Sequence, residues 1–179
     1  MGQLFSALFS AFYSKKMDIV LVGLENSGKS TLLSVLATGE PVETVPTIGL
    51  SVKVMKKQGI TMKCWDIGGQ EKYRGEWGRY TEGCSVILFV VDVADYEKMP
   101  TVKKELHKLV IGAERGNTQP IPMLILANKI DKSPHMAETE LITKLALEKI
   151  QMTPWIVMPI SAVQSVGIEN VLDWLINQS

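Results

Sequence analysis

The 179-residue sequence has only two cysteines and two histidines. Cys64 sits in an apolar strand-like run and Cys84 beside another, without metal-ligand spacing, so both read as reduced core thiols and a disulfide framework is excluded. His107 and His135, on a helical stretch and a loop, receive no catalytic role. No apolar run approaches ~18 residues, which excludes a bilayer-spanning helix. Charge of one sign is missing too: 19 basic and 19 acidic residues give a net charge of zero, so no nucleic-acid partner is expected. Repeats and low-complexity segments are absent, and the polar stretch at 117–120 is too short for a linker. What is present, 46% hydrophobic residues, suffices for one good-sized core.

Those residues fall in alternating patterns. Strands are expected near 17–23, 50–56, 60–66, 85–92, 121–127 and 155–160, and helices near 29–37, 100–113, 137–149 and 167–177. This alternation predicts an α/β fold, a mostly parallel six-stranded sheet with helices on both faces. One antiparallel hairpin is expected at Lys57, Gln58 and Gly59. Leu106, Leu109, Val110, Leu141 and Leu145 read as helix faces packed on the sheet.

The run Gly23-Leu24-Glu25-Asn26-Ser27-Gly28-Lys29-Ser30 fits G-x-x-x-x-G-K-S and follows the strand-like Asp18-Ile19-Val20-Leu21-Val22. Its glycines allow a loop to curl round a pyrophosphate and bring its amides close to the oxygens. Lys29 supplies charge to the β- and γ-phosphates and Ser30 a hydroxyl to Mg²⁺, while the helix that continues through Thr31 aims its positive end at the anion.

Asn128-Lys129-Ile130-Asp131 follows the apolar run 123–127, which puts it at the carboxyl end of a buried strand, where open α/β sheets bind ligands. A carboxylate there can accept from both guanine N1–H and the exocyclic amine, a pair of donors that adenine lacks. Asp131 therefore reads as the guanine reader, Asn128 braces the loop and the Lys129 stem lies along the base. Trp65-Asp66-Ile67-Gly68-Gly69-Gln70 ends another strand: Asp66 is placed to hold Mg²⁺ through water, the Gly69 amide can approach a γ-phosphate, and Gln70 can orient an attacking water. After a last strand, Ser161-Ala162 offers the Ala162 amide to guanine O6.

With Pro46-Thr47-Ile48-Gly49 between the first two of these segments, the chain resembles the small Ras-like GTPases, most closely the ADP-ribosylation factor (Arf) and Arf-like family, over essentially its whole length. The resemblance implies a P-loop GTPase domain at 17–179 that binds GTP or GDP with Mg²⁺, with Thr47 joining Ser30 on the metal in the GTP form. It further implies switches near 40–50 and 66–82 joined by an interswitch hairpin, an exchange factor, a GTPase-activating protein, and effectors recruited at Leu50, Trp65 and Tyr80. Trp-Asp-Ile-Gly-Gly-Gln, Trp77-Gly78-Arg79-Tyr80 and Val91-Asp92-Val93-Ala94-Asp95 look most like the lysosome-associated Arf-like branch. Two departures stand out: Leu50 where the family usually has Phe, and Glu25 where Asp is usual. Arg74 and Arg79 lie in the second switch, but neither sits obviously as a built-in finger.

The N-terminus carries other chemistry. Met1-Gly2-Gln3-Leu4-Phe5-Ser6 fits M-G-x-x-x-S, making Gly2 a candidate for N-myristoylation. Leu4, Phe5, Leu8, Phe9 and Phe12 gather on one side of a helical wheel, with Lys15-Lys16 at the end, so 1–16 reads as an amphipathic membrane-binding helix. Lipid and helix together supply the two signals that stable anchoring needs. A signal peptide lacks support because the stretch has no basic n-region; a helix docked permanently on the domain remains an alternative. The expectation is a GTP-hydrolysing switch that cycles from the cytoplasm to the cytosolic face of an endomembrane (Golgi, endosome or lysosome) and regulates vesicle or organelle traffic. The alternatives are a nucleotide-gated membrane-binding module with negligible turnover and, without support from any arginine-rich lid, a P-loop phosphotransferase.

Overall fold

Ile19 to Val22 are buried on both sides, and only a strand flanked by two layers can hide such a run. In the computed structural model, which describes residues 15–179, this run ends the central strand β1 (Lys15–Val22). Five further strands follow: β2 (Leu50–Lys57), β3 (Ile60–Ile67), β4 (Val86–Asp92), β5 (Met123–Asn128) and β6 (Trp155–Ile160). They order β2-β3-β1-β4-β5-β6, all neighbours parallel except β2 and β3. The expected mostly parallel sheet is thus observed. The hairpin also falls as expected: Lys57 pairs with Ile60 across Gln58 (φ 46°) and Gly59 (φ 78°), two left-handed residues whose twist suits a tight antiparallel turn.

Alternation along the strands divides the core. Val20, Val22, Phe89 and Ile125 point to one face, covered by α4 (Met99–Gly116) and α5 (Glu138–Leu145) through Leu106, Leu109, Val110, Leu141 and Leu145. Ile19, Leu21, Leu88 and Leu124 point to the other, covered by α1 (Lys29–Thr38) and α6 (Ile168–Asn177). Two one-turn helices, α2 (Glu71–Arg74) and α3 (Trp77–Tyr80), follow β3. Trp77 of α3 is buried, meets Phe89 edge-on at 6.1 Å and donates its indole N–H to the Gly68 carbonyl at 3.2 Å. No described helix is long and apolar enough to cross a membrane.

The structure departs from the sequence reading in three places. β1 begins at Lys15, so Lys15 and Lys16, read as the end of an amphipathic helix, pair instead with Ile60 and Thr61. The helix expected over 137–149 stops at Leu145, because Ala146 turns left-handed (φ 50°) and a 3₁₀ turn, Leu147–Lys149, follows. The short helices α2 and α3 were not anticipated, one turn being too little to carry a period. Gly2 and the apolar residues from Leu4 to Phe12 lie outside the described residues.

Phe89 and Trp77 join the sheet to the segment that carries Gln70. Phe89→Ala is expected to cost about 3–5 kcal/mol, the usual range for emptying a fully buried aromatic site. Equilibrium urea unfolding checks this: a loss below about 1 kcal/mol would show that the pair adds little to the core.

Candidate nucleotide site

The carboxyl ends of β1, β3, β5 and β6 open onto one cavity of about 570 Å³. Beyond Val22 the chain must turn sharply beside β4. At Gly23 (φ 146°) a Cβ would stand 2.2 Å from the Val90 carbonyl oxygen, so the position admits no side chain. Gly28 (φ 94°) is equally restricted, since a Cβ would meet the Asn128 amide nitrogen at 2.3 Å. No side chain caps α1, which leaves the amides of its first turn facing the loop.

Lys29, 6% exposed, folds back to donate to the carbonyls of Gly23 (2.9 Å) and Leu24 (2.8 Å). Burial pushes its ammonium down to about 8, Asp66 and Glu25 pull it up, and Arg74 lowers it further. A buried cation held only by neutral carbonyls is well matched to a phosphate.

Ser30, Thr47 and Asp66 converge from α1, the loop before β2 and the end of β3. Ser30 Oγ donates to Asp66 Oδ2 at 2.7 Å, Thr47 Oγ1 does so at 3.3 Å, and the two hydroxyls lie 2.9 Å apart. Asp66 Oδ1 is buried without a partner, and desolvation holds this carboxyl above its usual range despite the Ser30 bond and the charge of Lys29. Two hydroxyls and a carboxylate with an orphaned oxygen are hard ligands, and they fit a Mg²⁺ ion.

Gly69 touches the phosphate loop. A Cβ there would lie 2.4 Å from Leu24 C and Glu25 N, and the Glu25 amide donates to the Gly69 carbonyl at 3.1 Å. Gln70, next in the chain, lines the cavity with Glu25, Asn26, Gly28, Lys29, Ser30 and Thr31. Gly23, Leu24 and Ser27, read as part of the phosphate loop, do not themselves line it, and Ser27 is buried with an unpartnered hydroxyl.

At the far end Asn128, 2% exposed, ties two loops to β5: its Nδ2 donates to the Ser27 carbonyl at 2.8 Å and its Oδ1 accepts from the Ala162 amide at 3.0 Å. The amide read as a donor to guanine O6 thus has an internal partner, which a base oxygen would share. Lys129, left-handed at φ 74°, bonds the Asn26 carbonyl and, at 2.6 Å, Asp92 Oδ2. Asp131 is exposed and accepts from the buried Ser161 hydroxyl, so Ser161 aims the carboxylate and does not itself line the cavity. Asp92, Thr44 and Lys132 were given no site role by the sequence reading, and Pro46 was quoted only within its motif. Asp92 had a signal, an acid at the end of an apolar run level with Asn128 in the sheet; Thr44 had none.

Leu50, Trp65 and Tyr80 lie on β2, β3 and α3. Trp65 and Tyr80 rings lie 6.1 Å apart, but Trp65's cross-strand neighbour is Val52, while Leu50 stands opposite Ile67. Leu50, Val52 and Val54 are all exposed along β2.

The ADP-ribosylation factor family model matches residues 1–179. ADP-ribosylation factor J of Dictyostelium discoideum is 40% identical over 178 residues, 99% of this chain and 93% of that protein. ADP-ribosylation factor-like protein 8c of Arabidopsis thaliana is 39% identical over 173 residues, 96% of this chain and 92% of that protein. Among solved structures, the Arl6 BBS3 small GTPase of Trypanosoma brucei with bound GppNp superposes with a TM-score of 0.83 at 27% identity, covering 91% of this chain and 96% of that one.

Asn128→Ala would strand the Ser27 carbonyl and the Ala162 amide. Two buried bonds at roughly 1 kcal/mol each predict about thirtyfold weaker GTP and GDP binding, with their ratio unchanged. Dissociation of a fluorescent nucleotide measures this, and affinities within threefold of wild type would show that the tie is dispensable.

Proposed function

Since this chain belongs to the ADP-ribosylation factor family and is a small GTPase, a GTP-binding switch that hydrolyses GTP, we propose that it recruits effectors to a membrane surface in its GTP form. The observation that carries the site assignment is the meeting of Ser30, Thr47, Asp66, Gly69 and Gln70 at one end of the cavity, with Asp131 at the other. Guanine bonds to Asp131, and the phosphates lie over the loop from Gly23 to Ser30 and the first turn of α1.

In this reading the chain's own groups position and neutralise. Lys29 leaves its loop carbonyls for the β- and γ-phosphates, which restores the charge that burial disfavours. Ser30, Thr47 and Asp66 hold Mg²⁺, which when bound neutralises phosphate charge. Gln70 aligns the attacking water, and the Gly69 amide meets the γ-phosphate. Loss of the γ-phosphate frees Thr47 and Gly69, so both switches relax. No described arginine projects into the cavity, so hydrolysis is slow until an activating protein supplies charge. Effectors meet the exposed apolar row Leu50, Val52 and Val54 with Trp65 and Tyr80, and an exchange factor resets the cycle. The amphipathic pattern before β1 and the N-terminal M-G-x-x-x-S support a two-signal anchor to an endomembrane through the helix and a myristate on Gly2.

Gln70→Leu should keep GTP affinity near normal while nearly abolishing stimulated hydrolysis, whereas Ser30→Asn should lose Mg²⁺-dependent GTP binding. Single-turnover phosphate release is the assay, and wild-type hydrolysis by Gln70→Leu would remove Gln70 from the mechanism. Deleting residues 1–14, which leaves β1 intact, tests the coupling of anchor to nucleotide. If the segment docks only in the GDP form, its removal raises GDP-to-GTP exchange, and liposomes do the same for the full chain. Equal exchange in all four conditions would make it a passive tether.

A further inference from the structure

Glu25, the departure from the family's usual Asp, makes a contact that sequence alone does not reveal. Its Oε2 accepts from Arg74 Nη2 at 2.8 Å, and the Arg74 side chain is only 11% exposed. Arg74 ends the single turn of α2, four residues after Gln70, so its side chain reaches back over the start of that turn. There its Nε donates to the Gly69 carbonyl at 3.0 Å. The same carbonyl accepts the Glu25 amide at 3.1 Å. One oxygen thus takes two donors, from the phosphate loop and from the second switch, and the peptide it belongs to is the one that leads into Gln70.

We propose that Glu25 and Arg74 act as positioning residues for hydrolysis, clamping the Gly69–Gln70 peptide against the phosphate loop so that Gln70 enters the cavity in one orientation. The geometry explains the glutamate. An aspartate is one C–C bond, about 1.5 Å, shorter, and from the same backbone its carboxylate would fall short of Arg74, leaving the guanidinium held at one point only. A guanidinium is suited to the task because its planar fork presents Nε and Nη2 together, one to a carbonyl and one to a carboxylate. The same contacts keep Arg74 engaged, so it is not available as a finger on the γ-phosphate. This inference rests on the role given to Gln70.

The test uses full-length protein preloaded with GTP, followed for single-turnover hydrolysis and separately for GTP dissociation, without any activating protein. Arg74→Ala is expected to slow hydrolysis about tenfold with GTP dissociation within twofold of wild type, a split that general loosening of the site would not produce, and Glu25→Asp is expected to slow hydrolysis several-fold. Arg74→Lys should not rescue, since an ammonium lacks the fork. Glu25→Gln combined with Arg74→Ala should be no slower than Arg74→Ala alone, because both remove one clamp. Wild-type hydrolysis by Arg74→Ala, additive losses in the double variant, or faster hydrolysis by Glu25→Gln, the sign of an arginine released to act as a finger, would each overturn the proposal. Gln70→Leu run alongside separates the two readings: slow Gln70→Leu with normal Arg74→Ala overturns the clamp alone, whereas normal Gln70→Leu overturns the role of Gln70 and the clamp with it.

Discussion

The site depends on one buried amide. Asn128 leaves the end of β5 and holds the phosphate loop through the Ser27 carbonyl and the loop after β6 through the Ala162 amide. No strand pairing fixes the phosphate loop there, the loop after β6 has only the Ser161–Val166 bridge, and a buried amide with two satisfied ends is both directional and costly to disturb. The tie also explains the glycine at 28, since any Cβ would occupy the space of the Asn128 nitrogen. The segments proposed to recognise phosphate and base thereby share one anchor.

Around that anchor the fold concentrates polar groups that a core would reject. Lys29 and Asp66 are both buried, each shifted toward its neutral form by desolvation. The fold bears this cost because β1, β4 and β5 are apolar on both faces and helices close over both, so the rest of the core offsets it. The cost is localised where a charged ligand would offset it: phosphate for the lysine, a divalent cation for the carboxylate and its two hydroxyl neighbours.

What the sequence made legible was whatever depends on period or on fixed local spacing. The β-strand runs, the apolar faces of α4 and α5, the two-residue hairpin and the phosphate loop all announce themselves within a dozen residues. Pairings across the chain do not. Lys129 reads as a base-stacking stem, yet its ammonium is fixed by Asp92 and the Asn26 carbonyl, which only the β4–β5 register brings near. Val52 reads as one strand residue among several until antiparallel pairing sets it against Trp65. Ala146 looks like a good helix former but takes a left-handed turn, where its amide bonds the Thr143 carbonyl and the 3₁₀ turn packs Leu147 into the core. Tertiary burial there overrides local propensity.

The segment proposed as the second switch is not uniformly free, and this bears on how it would communicate with the first. Trp77 is fixed in the core and holds the Gly68 carbonyl, while the Gly68 amide donates to the Gly49 carbonyl at 2.8 Å in the first switch. Gly68 therefore sits between the two, with both of its peptide groups engaged and no room for a side chain, since a Cβ would meet Tyr73 at 2.5 Å and the Thr47 carbonyl at 3.0 Å. The Gly68 amide thus ties this segment to Gly49, two residues from Thr47, while its carbonyl is held by Trp77. Coupling between sites requires one element that both can bias. In the proposed cycle that element would be the pair of peptides on either side of Gly68, bonded to Gly49 through one and to the buried Trp77 through the other.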